Sequence, residues 1–291
     1  MKCVLCPKAC NIDRSRFVGG CKVKDNMIVA RAALHFFEEP IISGDKGSGT
    51  IFFSGCPLNC VFCQNKIISK DVYGKEITPF QLTKLIKNLE AQGAHNINMV
   101  SPTHFTDKII EALNIYKPSI PIVWNTSGYE SIQTIEKLSS YVDIFLTDYK
   151  YGIESVGQKY SKVKDYPSVA FNAIKKMIEL NPNPVIENGL MKKGLIIRHL
   201  VLPSNLENTK ACLKDISTLD KNSYILSVMS QFTPCNNLSD YPEINRKLTS
   251  LELKYVQSLL DKYELDGYIQ ELSSASEDYI PDFDLTGLNN I

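Results

Sequence analysis

The stretch GTIFFSGCPLNCVFCQN, residues 49 to 65, joins an apolar run to a loop that contains three cysteines. The run GTIFFSG is nearly continuous in apolar residues, which is typical of a strand buried on both faces of a parallel sheet. Cys56, Cys60 and Cys63 follow it in a C-x3-C-x2-C spacing. Three such thiolates can hold three corners of a 4Fe-4S cluster and leave one iron without a protein ligand. The sequence therefore predicts a cluster site at the end of the first strand of a parallel sheet.

Two alternative roles for these cysteines stay open. They could form three corners of a zinc site that a distant histidine completes, or they could be buried thiols that bind nothing. Their position favours the cluster, because α/β folds place their chemistry at the carboxyl ends of parallel strands.

From residue 49 onward the sequence alternates β-rich apolar runs with longer amphipathic segments, which predicts strand-helix pairs around a parallel sheet. The first long helix should begin after the N-cap Thr78 and stop at Gly93, whereas residues 181–194 should form a loop. Six pairs suit either a doubly wound open sheet or a partial (β/α) barrel. Strands are predicted at residues 49–55, 97–102, 120–126, 143–150, 194–203 and 224–231.

The composition describes a globular chain of 291 residues, of which 44% are hydrophobic. Lys and Arg together number 32, as do Asp and Glu, so no basic face indicates a nucleic-acid partner. We find neither the apolar core of a signal peptide nor the roughly 20 apolar residues of a membrane span, and expect a cytoplasmic protein without a membrane partner. In that compartment nine cysteines indicate metal binding rather than disulfides.

Four further cysteines lie close together near the N-terminus: Cys3, Cys6, Cys10 and Cys21. Their thiolates could close a tetrahedral zinc site or hold an auxiliary 4Fe-4S cluster, and the spacing alone does not separate these two. A pair of disulfides is the third alternative, which a cytosolic location disfavours. The chain is therefore predicted to consist of a Cys-rich metal-binding extension, residues 1–48, and a barrel domain, residues 49–291. The acidic tail from residue 273 is predicted to be mobile.

With Phe62 before its last cysteine, the C-x3-C-x2-C motif resembles the hallmark of the radical SAM superfamily. Longer stretches, among them residues 30–56, GAHNINMVSPTHF (93–105), DIFLTDYKY (143–151) and IIRHLVLP (196–203), resemble the PflX-type branch related to the pyruvate formate-lyase activating enzymes. The resemblance implies an α/β fold with a partial (β/α)6 barrel. It also implies a 4Fe-4S cluster on the three cysteines, S-adenosylmethionine (SAM) at its open iron, and an electron donor such as flavodoxin or ferredoxin.

In enzymes of this kind the reduced cluster passes an electron to the sulfonium of SAM, and the resulting 5'-deoxyadenosyl radical removes a hydrogen atom from the substrate. We therefore predict a radical SAM enzyme acting on a polypeptide or a small molecule, with installation of a glycyl radical on a partner enzyme as one specific case. Modification of a peptide or metabolite without a glycyl radical is the alternative. A non-catalytic iron-sulfur redox protein is the third hypothesis.

The resemblance also implies SAM-binding residues at the strand ends. At Ser101 the acidic residue that the activating enzymes use for the SAM amine is missing, so backbone carbonyls and Thr103 or His104 should replace it. Asp148 and Lys150 match an Asp-x-Lys motif of the family. Arg198 aligns with an arginine that engages the SAM carboxylate. The complete predicted set is Phe62, Ser101, Thr103, His104, Asn125, Asp148, Lys150, Arg198 and Gln231.

Each of these assignments has a structural alternative. Thr103 could instead cap the following helix. Asp148 and Lys150 could form a plain surface salt bridge, and Arg198 could pair with an internal aspartate. His199 alternates with Arg198, so it should point to the opposite face of its strand and pack under a helix.

Overall fold

The apolar run that precedes the three-cysteine loop forms a strand inside a mostly parallel sheet. A computed structural model describes residues 2–270 and 281–289 of the chain. Its strands are β1 (Met27–His35), β2 (Ser48–Phe53), β3 (Lys75–Ile77), β4 (Ile97–Val100), β5 (Ile122–Thr126), β6 (Ile144–Asp148), β7 (Val185–Glu187), β8 (Leu190–Leu200), β9 (Ile225–Met229) and β10 (Gly267–Ile269). The sheet order is β10-β9-β8-β6-β5-β4-β2-β1-β3, with β7 paired to β8. In this described part, the edge strands β10 and β3 do not pair with each other, so the barrel is partial.

The six predicted strands correspond to β2, β4, β5, β6, β8 and β9, and every pairing between neighbours in this series is parallel. Strand β10 continues the parallel part of the sheet beside β9. The predicted α/β class with a partial barrel is therefore confirmed. Among helices of the described ranges, none combines the length and apolarity that a membrane crossing requires.

Helices connect the strands at the predicted places. Thr78 caps α3 (Pro79–Ala91) with both hydrogen bonds of a capping box, and Thr249 does the same for α9 (Ser250–Tyr263). The helices are α1 (Pro40–Ser43), α2 (Lys66–Ser69), α3 (Pro79–Ala91), α4 (Thr106–Ile115), α5 (Ile132–Leu138), α6 (Glu154–Ser161), α7 (Tyr166–Leu180), α8 (Leu206–Ile216) and α9 (Ser250–Tyr263).

Alternate residues of the strands pack into two layers. Ile51 and Phe53 belong to the large core between the sheet and the surrounding helices. Val123 and Ile196 point to the barrel interior, where they pack against Ile42 of α1. The Asn96 amide donates to the Ile42 carbonyl at 2.7 Å, immediately before β4 begins. Helix α1 therefore closes the amino-terminal end of the barrel and leaves the carboxyl end open for a site.

Three features differ from the sequence-based expectation. Strand β1 pairs antiparallel with β2, although it lies in the segment predicted as an extension; the division of the chain at residue 48 stays a prediction. Residues 181–194 were expected to be a loop, but β7 and the first residues of β8 form an antiparallel hairpin there. Of the tail predicted to be mobile, residues 273–280 and 290–291 lie outside the described residues. Its later part is ordered along β1, because the Ala32 amide donates to the Thr286 carbonyl at 2.9 Å.

Candidate functional site

One cavity at the carboxyl ends of the parallel strands collects most of the predicted residues. Its volume is about 260 Å³. Parallel strands end at the same edge, so side chains from distant parts of the chain meet there. Of the predicted cluster and SAM residues, the cavity is lined by Cys56, Cys60, Cys63, Phe62, Ser101, Asn125, Asp148, Lys150, Arg198 and Gln231.

The cysteine loop is held by contacts on both sides. The Cys60 sulfur accepts a hydrogen bond from the Ser161 hydroxyl at 3.0 Å, and the Asn236 amide donates to the Cys63 carbonyl at 2.8 Å. The Phe62 ring is buried and meets Phe232 edge-on, with 5.8 Å between ring centroids. Phe62 thus anchors the loop through packing, while part of it still lines the cavity.

The cysteine loop lies in a buried environment that disfavours isolated thiolates but would accept thiolates whose charge is offset by bound iron. Burial, and then the neighbouring cysteines, raise the pKa of the Cys56 and Cys63 thiols. Such thiols lose their protons when they bind metal. Within residues 2–270 and 281–289, no three His, Cys, Asp or Glu side chains converge as a site for a single metal ion. A cubane presents its irons at separate corners, so three thiols spread around one cavity fit the donor set that it needs.

Opposite charges line the cavity beside this loop. The Lys150 ammonium donates to Asp148 Oδ2 at 2.5 Å, and Arg198 Nε donates to Asp148 Oδ1 at 3.0 Å. The internal pair that the sequence left open for Arg198 is therefore present, whereas a surface salt bridge is not, because these side chains are 13–17% exposed. Burial alone would raise the pKa of Asp148, but Lys150 and Arg198 hold it below its ordinary value. Burial likewise opposes the charge of Lys150, but Asp148 raises its pKa.

Glu38 completes this network, and the sequence analysis missed it. It lies in the loop after β1, and its carboxylate accepts from the Asn98 and Asn125 amides at 2.9 and 3.1 Å and from Arg198 at 3.0 Å. Arg198 also donates to Asn125 Oδ1 at 2.6 Å. The Glu-Glu pair after an apolar run was the available signal. This pair did not indicate a site by itself, because only the pairing of β1 with β2 brings the loop that contains it into the barrel.

Thr103 and His104 do not line the cavity, so the structure does not bring these two predicted residues to it. Ser101 has a left-handed backbone, with φ at 55°, and the chain turns away there. The Thr103 hydroxyl then donates to Glu130 at 2.5 Å, and His104 Nε2 lies 2.8 Å from the Ser54 carbonyl. Burial lowers the pKa of His104 to about 3, so the ring is neutral. The alternative role of Thr103 as a helix cap is also wrong, because α4 has no side-chain cap.

The prediction for His199 is confirmed. Its Nδ1 lies 2.7 Å from the Tyr149 carbonyl and its Nε2 lies 3.0 Å from the Thr209 hydroxyl of α8. Burial lowers its pKa to about 4. His199 is a neutral ring packed under a helix, as its alternation with Arg198 indicated.

The four N-terminal cysteines lie outside the cavity, in a segment that packs beside it. The Ser131 and Thr134 hydroxyls at the start of α5 donate to the Leu5 carbonyl at 3.2 and 2.6 Å. The Cys56 amide donates to the Cys21 carbonyl at 3.1 Å. The N-terminal segment is thereby bound to the same end of the barrel as the cavity.

A comparison with known families identifies the family to which this chain belongs. The model of the radical SAM superfamily matches residues 50–198, which run from β2 to Arg198 on β8. The chain belongs to the radical SAM superfamily. Membership of the radical SAM superfamily implies a 4Fe-4S cluster and bound SAM, and the three thiols of the cavity fit that cluster.

Known relatives include an uncharacterized protein, MJ0674, of Methanocaldococcus jannaschii, which is 33% identical over 91% of this chain and 75% of its own length. Among solved structures, Streptococcus suis SuiB bound to the precursor peptide SuiA is 14% identical, with a TM-score of 0.47 over 76% of this chain and 48% of SuiB. A domain of the pyruvate-formate lyase-activating enzyme of Bacteroides vulgatus is 14% identical, with a TM-score of 0.39 over 66% of this chain and 91% of that domain. The chain spans about half the length of the SuiB structures that it matches.

Proposed function

We propose that this radical SAM protein is an enzyme that cleaves SAM reductively in the described cavity and abstracts a hydrogen atom from a substrate. One observation carries the proposal: three thiols of a single loop share a cavity with a buried network of paired charges. The thiolates of Cys56, Cys60 and Cys63 would hold a 4Fe-4S cluster, which would supply the electron for this cleavage. The chain's own part is to orient SAM, to exclude water and to hold the substrate close.

Lys150 is our candidate for binding the SAM carboxylate. An ammonium has three N–H donors, and Asp148 takes one of those of Lys150. Arg198, the residue predicted for this role, instead directs Nε, NH1 and NH2 to protein acceptors. We propose that Arg198 is a positioning residue, which holds the carboxylates of Asp148 and Glu38 in place.

We propose that the remaining cavity residues contact other parts of SAM or the substrate. Ser101 follows β4, and its amide donates to the Asn125 carbonyl at 2.9 Å, so backbone groups of this turn lie beside the cavity for the SAM amine. Phe62 and Gln231 line the same cavity and would bound the nucleoside. Thr103 and His104 are not part of this proposal, since both are hydrogen-bonded outside the cavity.

The proposal includes a second metal centre on the four N-terminal cysteines, Cys3, Cys6, Cys10 and Cys21. Two of them, Cys6 and Cys21, are buried, and the Gly20 amide donates to the Cys10 sulfur at 3.2 Å. Four thiolates suit an auxiliary 4Fe-4S cluster, or one zinc ion if they move together, because within residues 2–270 and 281–289 they do not converge on a single ion.

The proposed partners are an electron donor of the flavodoxin or ferredoxin class and, where the substrate is a protein, that protein. Support for the donor comes from charge. Residues 2–24 contain six Lys and Arg but only one acidic residue, Asp13, in a chain whose totals are equal. Lys2, Arg16, Lys22 and Lys24 are exposed. Such a surface would attract an acidic carrier and speed its association at low salt.

Formation of 5'-deoxyadenosine tests the enzymatic proposal. Anaerobically reconstituted protein, reduced with dithionite and incubated with SAM, should produce it, and Cys60→Ala should not. Cys212→Ala is the matched control, because it removes a buried thiol from α8 outside the cavity. Wild-type protein that makes none above background would contradict the proposal and favour the non-catalytic iron-sulfur protein.

A glycyl radical on a partner enzyme is the specific substrate hypothesis. Mixing the reduced protein, SAM and a candidate partner should then give the glycyl doublet in the EPR spectrum. If SAM is cleaved but no candidate partner shows the doublet, modification of a peptide or metabolite becomes the favoured activity.

A further inference from the structure

The segment of residues 2–25, here termed the N-terminal module, touches the cysteine loop of the cavity at its first ligand. The Cys56 amide donates to the Cys21 carbonyl at 3.1 Å. A Cβ on Gly55 would lie 2.7 Å from the same carbonyl, so no larger residue fits between the module and the loop. Gly55 also has a φ of 85°, which favours glycine. Cys21 of the module therefore contacts Cys56 of the cavity directly.

The backbone of the module approaches its sulfur atoms closely. A Cβ on Gly19 would lie 3.2 Å from the Cys21 sulfur, and a Cβ on Gly20 would lie 3.3 Å from the Cys10 sulfur. The Gly20 amide already donates to that Cys10 sulfur. Amide donors to sulfur are a means by which proteins stabilise metal-bound thiolates. Both glycines thus lie against the cysteine sulfur atoms of the module.

Arg14 independently indicates that negative charge is located at these cysteine sulfur atoms. Its side chain is 5% exposed, and its NH1 and NH2 donate to the backbone carbonyls of His104 and Lys24. Its buried Nε has no hydrogen-bond partner, and no carboxylate in residues 2–270 or 281–289 forms an ion pair with it. Nε and the Cys21 sulfur both lie within 4 Å of the Cβ position on Gly19. Because a buried guanidinium without a counter-ion is costly, an anionic metal-thiolate centre is its natural partner.

We propose that a metal centre on Cys3, Cys6, Cys10 and Cys21 braces the cysteine loop, so that loading of the radical SAM cluster depends on loading of the N-terminal module. The metal draws the four thiolates together, with Arg14 balancing their charge. Cys21 is thereby fixed, and its carbonyl holds the Cys56 amide in position. This inference rests on the proposed function in one respect only, the cluster on Cys56, Cys60 and Cys63.

The test compares the double variant Cys6→Ala/Cys10→Ala with Cys212→Ala as the matched control. After anaerobic reconstitution, iron, sulfide and zinc are counted per chain, and hydrogen exchange is followed in peptides covering residues 54–65. The double variant should lose the metal of the module, about one zinc or about four iron per chain, together with part of the iron of the radical SAM cluster, and the control should lose neither. Loss of zinc identifies a zinc site, and loss of more than about four iron without zinc identifies a second cluster. Exchange in residues 54–65 should become at least about tenfold faster in the double variant alone, with incomplete cluster loading.

Metal content equal to wild type in the double variant would overturn the second centre. Metal loss with unchanged exchange and full cluster loading would overturn the bracing. If the double variant does not fold, Cys56→Ala/Cys60→Ala/Cys63→Ala replaces it, since that variant keeps the module intact. Its remaining metal should be removable by a chelator, with faster exchange at residues 54–65, and unchanged exchange again overturns the bracing. Absence of 5'-deoxyadenosine from wild type, together with the expected metal loss and exchange, would remove the proposed function but leave the brace standing.

Discussion

Replacing Asp148 by Asn should destabilise the protein far more than the loss of an exposed ion pair of similar length. Asp148 is 13% exposed and joins Arg198 at 3.0 Å and Lys150 at 2.5 Å. The substitution removes the charge that both cations face and leaves Glu38 as the counter-ion of Arg198. Breaking a buried ion pair from one side costs about 3–5 kcal/mol, because the remaining charge stays out of water.

Asp107→Asn is the matched control. Asp107 also forms an ion pair at 3.0 Å, with Lys137, but the two side chains are 63% and 50% exposed. An exposed pair of this kind is worth at most about 1 kcal/mol. Urea denaturation at pH 7, followed by circular dichroism, gives the free energy of unfolding of both variants and of wild type. If the losses in the two variants differ by less than about 1 kcal/mol, the buried network does not hold the cavity as described.

Three further outcomes are expected. Burial raises the pKa of Glu130 from 4.5 to about 7, so wild type should lose about 2 kcal/mol of stability as pH rises from about 5 to 7. Glu130→Gln should flatten this slope in urea titrations, and parallel curves would contradict it. Gly128→Ala places a Cβ 2.2 Å from the Asp148 carbonyl at a φ of 78°. It should lower the free energy of unfolding by about 2–4 kcal/mol in the same assay, and a neutral effect would contradict the packing described here. Lys150→Gln should weaken SAM binding about 10- to 100-fold in anaerobic calorimetry, because it removes a charge-assisted hydrogen bond to the SAM carboxylate. Unchanged affinity would rule out Lys150 as the residue that binds this carboxylate.

Much of the fold could be predicted because it depends on neighbours in the chain. Continuous apolar runs identified six of the seven parallel strands, all except the short β10, and the capping box at Thr78 marked the start of α3. The hairpin at residues 185–193 was missed, since the prolines, asparagines and glycines of residues 181–194 are also typical of a loop. Strand β1 was missed because it precedes the cysteine loop and pairs in the antiparallel sense, outside the strand-helix repeat.

The candidate site divides in the same manner. The cysteine spacing and the charged pair at the end of a strand, Asp148 and Lys150, were recognisable locally, and the structure places all of them in one cavity. Thr103 and His104 also follow a strand, but the left-handed turn at Ser101 carries them outside it. Sequence position placed a residue at a strand end, whereas the direction of its side chain depended on one backbone angle.

By itself the sequence determined the strand-helix order, the parallel sheet and the three-thiol loop, because periodicity and spacing are properties of a few adjacent residues. Only the tertiary structure decided that Glu38 would reach Arg198, 160 positions along the chain, and that each of the three Arg198 side-chain nitrogens would donate to a protein acceptor. The same is true of the hydrogen bond between Cys21 and Cys56. Such contacts require the register of the whole sheet and the closure of the barrel by α1, and neither is encoded in any short stretch.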